Sequence, residues 1–299
     1  MDIRALRLFL IVADTLSFTR ASEQAHISVS AVSRSIGRLE AELGHRLLER
    51  DRRSVRLTAE GSVFRNYARG AVADWRQLQT ELGGETALAG EVSLYCSVTA
   101  SYSVLAPILE SFRLTHPEVD IMLHTGDQAD GVSRVLEGHD DLAVSGRPKD
   151  LPWRLDFLPL LESPLVFVMP TADCLVRDAV LRVDELGHPD VSFIVPERGV
   201  TKDLLDDWFT KQRATPTIYA QVAGHEAIVA MVALGLGVGL APQLVVEASG
   251  LAAQVEIVPV AEPPPPLSIG LCAQNKRLSQ PLVRSLWDVA ASTYRIASR

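Results

Sequence analysis

The chain has 299 residues, 47% of them hydrophobic and 22% charged, which is long enough for two or three packed units and too apolar for a disordered chain. Its net charge of −8 argues, as an average, against nucleic-acid binding. The average hides a split: residues 1–60 carry ten Arg and no Lys against eight acids, residues 61–90 balance three against three, and residues 91–299 carry 16 basic against 26 acidic groups. A mildly basic head on an acidic body is expected when one small module meets phosphate and the rest serves another task.

Residues 2–14 place Ile3, Leu6, Phe9, Leu10, Val12 and Ala13 at helical spacing, and Leu16 and Ser17 break the pattern. A short second helix is expected over 19–25 with Ser17 as N-cap, then a turn through His26, Ile27 and Ser28, then a third helix capped by Ser28 or Ser30. In the third helix Val32, Ile36, Leu39 and Leu43 form an apolar face opposite Ser30, Ser33, Arg34 and Arg38, and such a short, polar, basic face suits the DNA major groove. Two helices joined by so short a turn read as a helix-turn-helix. Gly44 is placed to end the third helix. After it, LLERD and SVRLT read as two short strands around Asp51, Arg52 and Arg53, a wing whose arginine tip can meet phosphate or a neighbouring minor groove.

Thr58 can cap a long helix from Ala59 to about Leu82, in which Phe64, Tyr67, Ala71, Trp75, Leu78 and Leu82 repeat at spacings of three and four. A solitary helix with such a stripe needs a partner, and a second copy of itself is the simplest. Gly83, Gly84 and Gly90 end it in a hinge.

From Glu91 onward short apolar strands alternate with helices: VSLYCSV, VDIMLHT and DLAVSG, then LVFVMP, VSFIVP, TIYAQV, GVGLAP and LSIGLCA. Helices are expected to about Leu114, to Leu136, over 202–211 and over 226–234, with a final amphipathic helix carrying Leu282, Leu286, Trp287 and Val289. The alternation predicts an α/β domain with a largely parallel sheet, in two lobes between which the chain crosses near Val166 and again near Ile269. The apolar run 227–246 is long enough by count to span a membrane, but Gly235, Gly237, Gly239 and Pro242 interrupt it, which favours a buried helix followed by a buried strand. The expected organisation is a winged helix-turn-helix over 1–58, a linker helix and hinge over 59–90, and a two-lobed domain over 91–299, with lobe I formed by 91–165 plus 269–299 and lobe II by 166–268.

Cys96, Cys174 and Cys272 are odd in number, far apart and without a CxxC pair, so neither a disulfide framework nor a zinc site is expected, and a reducing cytoplasm fits. Arg4 and Arg7 precede LFLIVA, which is too short for the apolar core of an export signal. Enzyme motifs are weak. His225 and Glu226 start like HExxH, but the fifth position is Val229; GLGVGLA lacks the third glycine of a dinucleotide loop; no GxSxG or P-loop occurs. His139, Asp140 and Asp141 are neighbours that a strand would send to opposite faces. No catalytic residue, metal or cofactor is expected.

Residues 1–60 resemble the head of LysR-type transcriptional regulators, through LRLFLIVADTLSFTRASEQAHIS and AVSRSIGRLEAELGHRLLERDRRSVRLTAEG. Ala21, Ser33, Arg34, Leu39, Glu40, Leu43, Gly44, Leu47, Arg50, Leu57, Thr58 and Gly61 match that pattern at fixed spacing. The chain departs from it at Ser35 for Gln, Ala25 for Leu and Leu48 for Phe, and Gly37 inside a helix costs about 1 kcal/mol relative to Ala. The resemblance implies a linker helix and an effector domain similar to periplasmic binding proteins. Within the family, CSVTASYS, TGDQAD, DLAVSGRP, YAQVAGHEAIVAMVALGLGVGLAP and CAQNKRL resemble the activators of the acetohydroxy-acid isomeroreductase gene in isoleucine and valine synthesis. That likeness implies 2-acetolactate and 2-acetohydroxybutyrate as co-inducers.

The expected DNA contacts are Ser28, Ser30, Ser33, Arg34, Ser35, Arg38, Arg52 and Arg53. The effector is expected between the lobes at the carboxyl ends of strands. Ser97, Thr99 and Ser101 are the expected seat of its carboxylate and Arg147 the alternative partner; Thr125 and His225 are assigned to its hydroxyl or ketone, and Asp127 and Glu197 lie on the adjoining loops. The expected partners are a double-stranded operator, a small carboxylate co-inducer, RNA polymerase and further copies of the chain, as a homodimer assembling to a homotetramer, with no membrane. Rival readings are a LysR-type regulator of another pathway with a different small carboxylate, a solute-binding protein, which would leave residues 1–90 unexplained, and a small-molecule enzyme.

Overall fold

The computed structural model describes residues 2–25, 27–50, 55–83 and 88–297, in two compact units, Met1–Ala87 and Leu88–Arg299. The first unit opens with α1 (Ile3–Thr15), α2 (Phe18–Gln24) and α3 (Val29–Leu43), each started by a side-chain cap: Asp2, Ser17 and Ser28 accept the amides of Ala5, Arg20 and Ala31. Gly44 ends α3 in the left-handed region at φ 72°, where a residue without Cβ has no penalty. Strands β1 (Leu48–Arg50) and β2 (Val55–Leu57) pair antiparallel, and α4 (Ala59–Gly83) follows. Their core is Phe9 and Val12 of α1, Ala21 of α2, Val32, Ile36 and Leu39 of α3, Leu47 and Leu48, and Phe64, Ala68 and Val72 of α4. Phe9 and Phe64 meet edge-on with ring centroids 5.0 Å apart.

The apolar pattern of α4 is two stripes, where the sequence suggested one. Phe64, Ala68 and Val72 are buried in the unit's own core, while Val63, Tyr67, Trp75 and Leu78 are exposed. A spacing of three or four residues is compatible with either face, and only the packing of α1 separates them.

The second unit is two five-stranded sheets. The first contains β3 (Gly90–Cys96), β4 (Val119–Thr125), β5 (Leu142–Gly146), β6 (Leu155–Ser163) and β12 (Leu267–Gln274), in the order β4-β3-β5-β12-β6. The second contains β7 (Leu165–Pro170), β8 (Ser192–Pro196), β9 (Thr217–Val222), β10 (Val238–Pro242) and β11 (Val255–Val258), in the order β11-β7-β10-β8-β9. The chain therefore leaves the first sheet at Pro164 and returns to it between Val258 and Leu267.

The expectation of a largely parallel sheet holds for strand direction but not for pairing. In each sheet four strands run the same way and one is reversed, β12 in the first and β7 in the second, so two of the four pairings are antiparallel. Parallel neighbours need a crossover that brings the chain back to the same edge, and β6, β7, β11 and β12 are the strands by which the chain changes sheets. Strand β6 lacks a sequence signal, because Pro159 interrupts its pattern. The structure tolerates that proline on an edge strand, opposite Gly270, where the register with β12 shifts. Helix α8 (Leu175–Arg182), helix α11 (Gln243–Ala248) and β11 also lack a clear signal in sequence.

The helices that place functional residues are α5 (Val98–Ala100), which runs through a π-turn (Ser101–Leu105) into α6 (Ala106–Thr115), then α7 (Gly131–Leu136), α9 (Val200–Lys211), α10 (His225–Ala233) and the final α12 (Pro281–Ala297). The apolar run 227–246 forms most of α10 and all of β10, joined through Gly235 at φ 78°. A Cβ at Gly239 would stand 2.4 Å from Ile228 Cγ2, so this glycine lets α10 lie directly on its sheet. No helix among the described residues is long and apolar enough to cross a membrane.

Candidate nucleic-acid interface and candidate effector cleft

The recognition face of α3 is set by what its other side buries. Val32, Ile36 and Leu39 are in the core, which leaves Ser30, Arg34 and Arg38 exposed on the opposite side, with Ser33 and Ser35 half-buried at its edges. At the helix start the Ser28 and Ser30 hydroxyls are 3.0 Å apart, and Arg34 Nε donates to the Ser30 carbonyl at 3.3 Å. Gly37 has nothing within 4 Å of an added Cβ, so the outer surface is unobstructed. Guanidinium groups on such a face can pair with guanine edges or phosphates, and short hydroxyls admit close approach. The wing strands are in place, while the arginine turn at Arg52 and Arg53 lies outside the described residues.

Between the two sheets lies a cleft of about 360 Å³, its open mouth included. From the first sheet, Ser97 and Thr99 follow β3, Gln128 follows β4, and Ser145 is the penultimate residue of β5; from the second, His225 opens α10, Pro242 ends β10, and Leu244 and Val245 follow it. Val104, Val144, Leu267 and Ile269 complete an apolar floor. The lining among the described residues contains neither Lys nor Arg.

His225 is 5% exposed and its Nε2 lies 3.0 Å from Thr201 Oγ1. Burial pulls its pKa down to about 4 against the upward pull of Glu226 and Asp127, so at neutral pH the ring is uncharged and offers one donor and one acceptor. Thr201, also buried, lies 3.5 Å from Gln128 Nε2 across the cleft.

Glu226 Oε1 accepts two hydrogen bonds from Thr99, one from the amide at 3.0 Å and one from the hydroxyl at 2.7 Å. Burial pushes this carboxyl up, but the two Thr99 donors, its own amide and His225 outweigh it and hold the group below its ordinary value. Glu226 is therefore an anion seated on the first sheet's side of the cleft. Arg198 makes a second bridge, reaching Asp130 at 3.0 Å and Asp127 at 3.5 Å. Beside it a Cβ at Gly199 would stand 2.7 Å from Ala129 Cβ. Cys96, at the end of β3, is a thiol whose pKa burial pushes up to about 11.

Of the effector residues anticipated from sequence, Ser97, Thr99 and His225 line the cleft. Ser101 donates to the Val98 carbonyl at 2.6 Å and is not part of the lining. Thr125 is exposed at the end of β4. Asp127 caps its own turn through the Ala129 amide and faces Arg198. Arg147 is exposed with its guanidinium carbon 5.8 Å from the centre of the Phe157 ring, and Glu197 is exposed with its amide donating to the Val222 carbonyl. Sequence reasoning misses Thr201 and Gln128, and it places Ser145 and Glu226 on the loops around the expected effector without assigning either a role. Glu226 is visible in sequence as the neighbour of His225 at a helix start, but nothing there points to its contact with Thr99.

A family model described as "Bacterial regulatory helix-turn-helix protein, lysR family" matches residues 3–62, and one described as "LysR substrate binding domain" matches residues 85–295. The chain is 41% identical over 293 residues to the HTH-type transcriptional activator IlvY of Salmonella typhimurium, covering 97% of this chain and 99% of that relative. Among solved structures it resembles a full-length OxyR variant from Pseudomonas aeruginosa, with a TM-score of 0.70 at 22% identity over 99% of this chain and 97% of that one. It also resembles full-length CbnR complexed with its target DNA, with a TM-score of 0.63 at 19% identity over 99% of this chain and 100% of that one. The head, the cleft and these matches together place the chain in the LysR family of DNA-binding transcriptional regulators, which are not enzymes.

Proposed function

We propose that the chain activates the acetohydroxy-acid isomeroreductase gene of isoleucine and valine synthesis in response to 2-acetolactate and 2-acetohydroxybutyrate. The observation that carries the effector reading is the composition of the cleft: hydroxyls, an amide and a neutral imidazole on one side, and an apolar floor on the other. That set suits a small acid bearing a hydroxyl, a ketone and a short alkyl group. Thr99 and Ser97 take the carboxylate, and His225 takes the hydroxyl or ketone. Similarity over nearly the full length to an IlvY activator, at 41% identity, supports the pathway.

In the cytoplasm, dimers formed through Tyr67, Trp75 and Leu78 of α4 set two copies of α3 in successive major grooves of the operator. Pairs of dimers make the tetramer, and effector binding shifts the bound assembly toward one that recruits RNA polymerase. In each head Ser28, Ser30, Ser33, Arg34, Ser35 and Arg38 face the DNA, and Arg52 and Arg53 add phosphate contacts.

Gel-shift titration on the promoter of the isomeroreductase gene tests the DNA half. Arg34→Ala is expected to weaken binding and to lower the salt slope by about one, and an unchanged titration refutes the assignment. Thermal shift of the full chain with the two acetohydroxy acids tests the effector half, since a ligand of the folded state raises the midpoint. No shift with either acid refutes it.

A further inference from the structure

We infer that Glu226 is a built-in competitor for the effector's carboxylate: it occupies the Thr99 amide and hydroxyl, and an acid binds there only by displacing it. The inference rests on the reading of this cleft as the effector site and adds how that site is gated and what it selects.

Thr99 is 2% exposed, and both of its donors converge on one oxygen of Glu226. The pair joins two sheets through residues 127 apart in sequence, so it is a contact between lobes. Those two donors are also the best carboxylate seat in the cleft, because the lining among the described residues holds neither Lys nor Arg. A second anion beside Glu226 would meet like charge in a partly desolvated space, with no lining cation among those residues to offset it. Ligand carboxylate and Glu226 carboxylate are therefore alternatives on Thr99.

Two consequences follow from linkage. The ligand favours the arrangement in which Glu226 has left Thr99, so binding and loss of this bridge are the same event. The bridge also sets a threshold on selectivity: a neutral oxygen accepts the two Thr99 donors less strongly than a carboxylate does, so an acid displaces Glu226 more readily than a neutral molecule of the same shape. Arg198, which bridges the lobes to Asp127 and Asp130, does not compete for Thr99, so the lobes stay joined when Glu226 is released.

The test uses the full chain and isothermal titration with racemic 2-acetolactate, pyruvate and acetate, comparing wild type with Glu226→Gln. The amide keeps the shape and removes the charge. Tighter binding of at least one acid, by about fivefold or more, is expected. Damage to the fold would weaken binding, so a gain reports loss of the competitor. Glu226→Ala replaces the Gln variant if that protein does not fold, and Glu185→Gln, an exposed carboxylate outside the lining, is expected to bind as wild type does. If wild type binds 2-acetolactate and the Glu226 variant binds it equally or more weakly, the competitor role is overturned while the effector reading stands. Should wild type ignore 2-acetolactate and the variant take pyruvate or acetate, the competitor role holds and the proposed effector falls. Silence from both proteins toward all three acids overturns both.

Discussion

One carboxylate oxygen of Glu40 accepts the amide of Leu47 at 2.9 Å, and the next amide, of Leu48, reaches the same oxygen at 3.1 Å. Glu40 sits near the end of α3 and Leu48 begins the wing, so this bond fixes where the wing leaves the recognition helix. Both contacts lie in a partly buried stretch, where an amide left without an acceptor is costly.

Glu40→Ala strips the partner from two amides at once. Its cost is expected at about 1–3 kcal/mol, read as a lower thermal midpoint for the head, with weaker operator binding because the wing loses its register on α3. An unchanged midpoint together with unchanged gel-shift affinity would falsify the positioning role.

Two glycines of the head are expected to respond in opposite directions. At Gly61 a Cβ would stand 1.9 Å from the Leu47 carbonyl oxygen, a backbone atom that cannot step aside cheaply, so Gly61→Ala should cost about 3 kcal/mol or more. Thr58 tightens the same junction by accepting the Gly61 amide at 2.8 Å and donating to the Arg46 carbonyl at 2.8 Å. Gly37 lies mid-helix with open space around it, and Gly37→Ala is expected to stabilise by about 0.5–1 kcal/mol. Equal effects of the two substitutions on the unfolding midpoint would contradict this packing.

His225 gives the cleft a pH signature. Its folded pKa of about 4 lies below the ordinary 6.5, so between those values the unfolded chain binds the extra proton and stability rises with pH. Wild type is therefore expected to lose about 2–3 kcal/mol as pH falls from 6.5 to 4.5, and to show no contribution from this residue above 6.5. Glu226, held below its ordinary value, acts mainly lower in pH. His225→Gln should flatten the denaturant-midpoint profile between pH 6.5 and about 4.5, and an identical slope in the two proteins would rule out a buried neutral ring.

Much of the head is legible in sequence because its signals are local. Ser28 as cap, Val32, Ile36 and Leu39 at helical spacing and Gly44 as terminator delimit α3 without tertiary information, and the observed helix runs from Val29 to Leu43. The parallel strands of the second unit are short apolar runs bounded by turns, so they are readable too. Strand orientation is not, since it depends on where the chain changes sheets, and Pro159 conceals β6. The cleft is half legible. Ser97, Thr99 and His225 follow strand ends, where α/β sheets place ligands, but Gln128 and Thr201 meet only through the closure of two lobes. Glu226 shows the limit most clearly, because its partner Thr99 lies 127 residues away and no periodicity joins them.

Helix α4 gives Phe64, Ala68 and Val72 to the core of the head and leaves Tyr67, Trp75 and Leu78 uncovered on an adjacent stripe. One helix thus belongs to the fold of a single head and to whatever covers its other side. When a second copy covers it, the melting of the head becomes concentration-dependent, and dilution loosens the DNA reader before any operator is present.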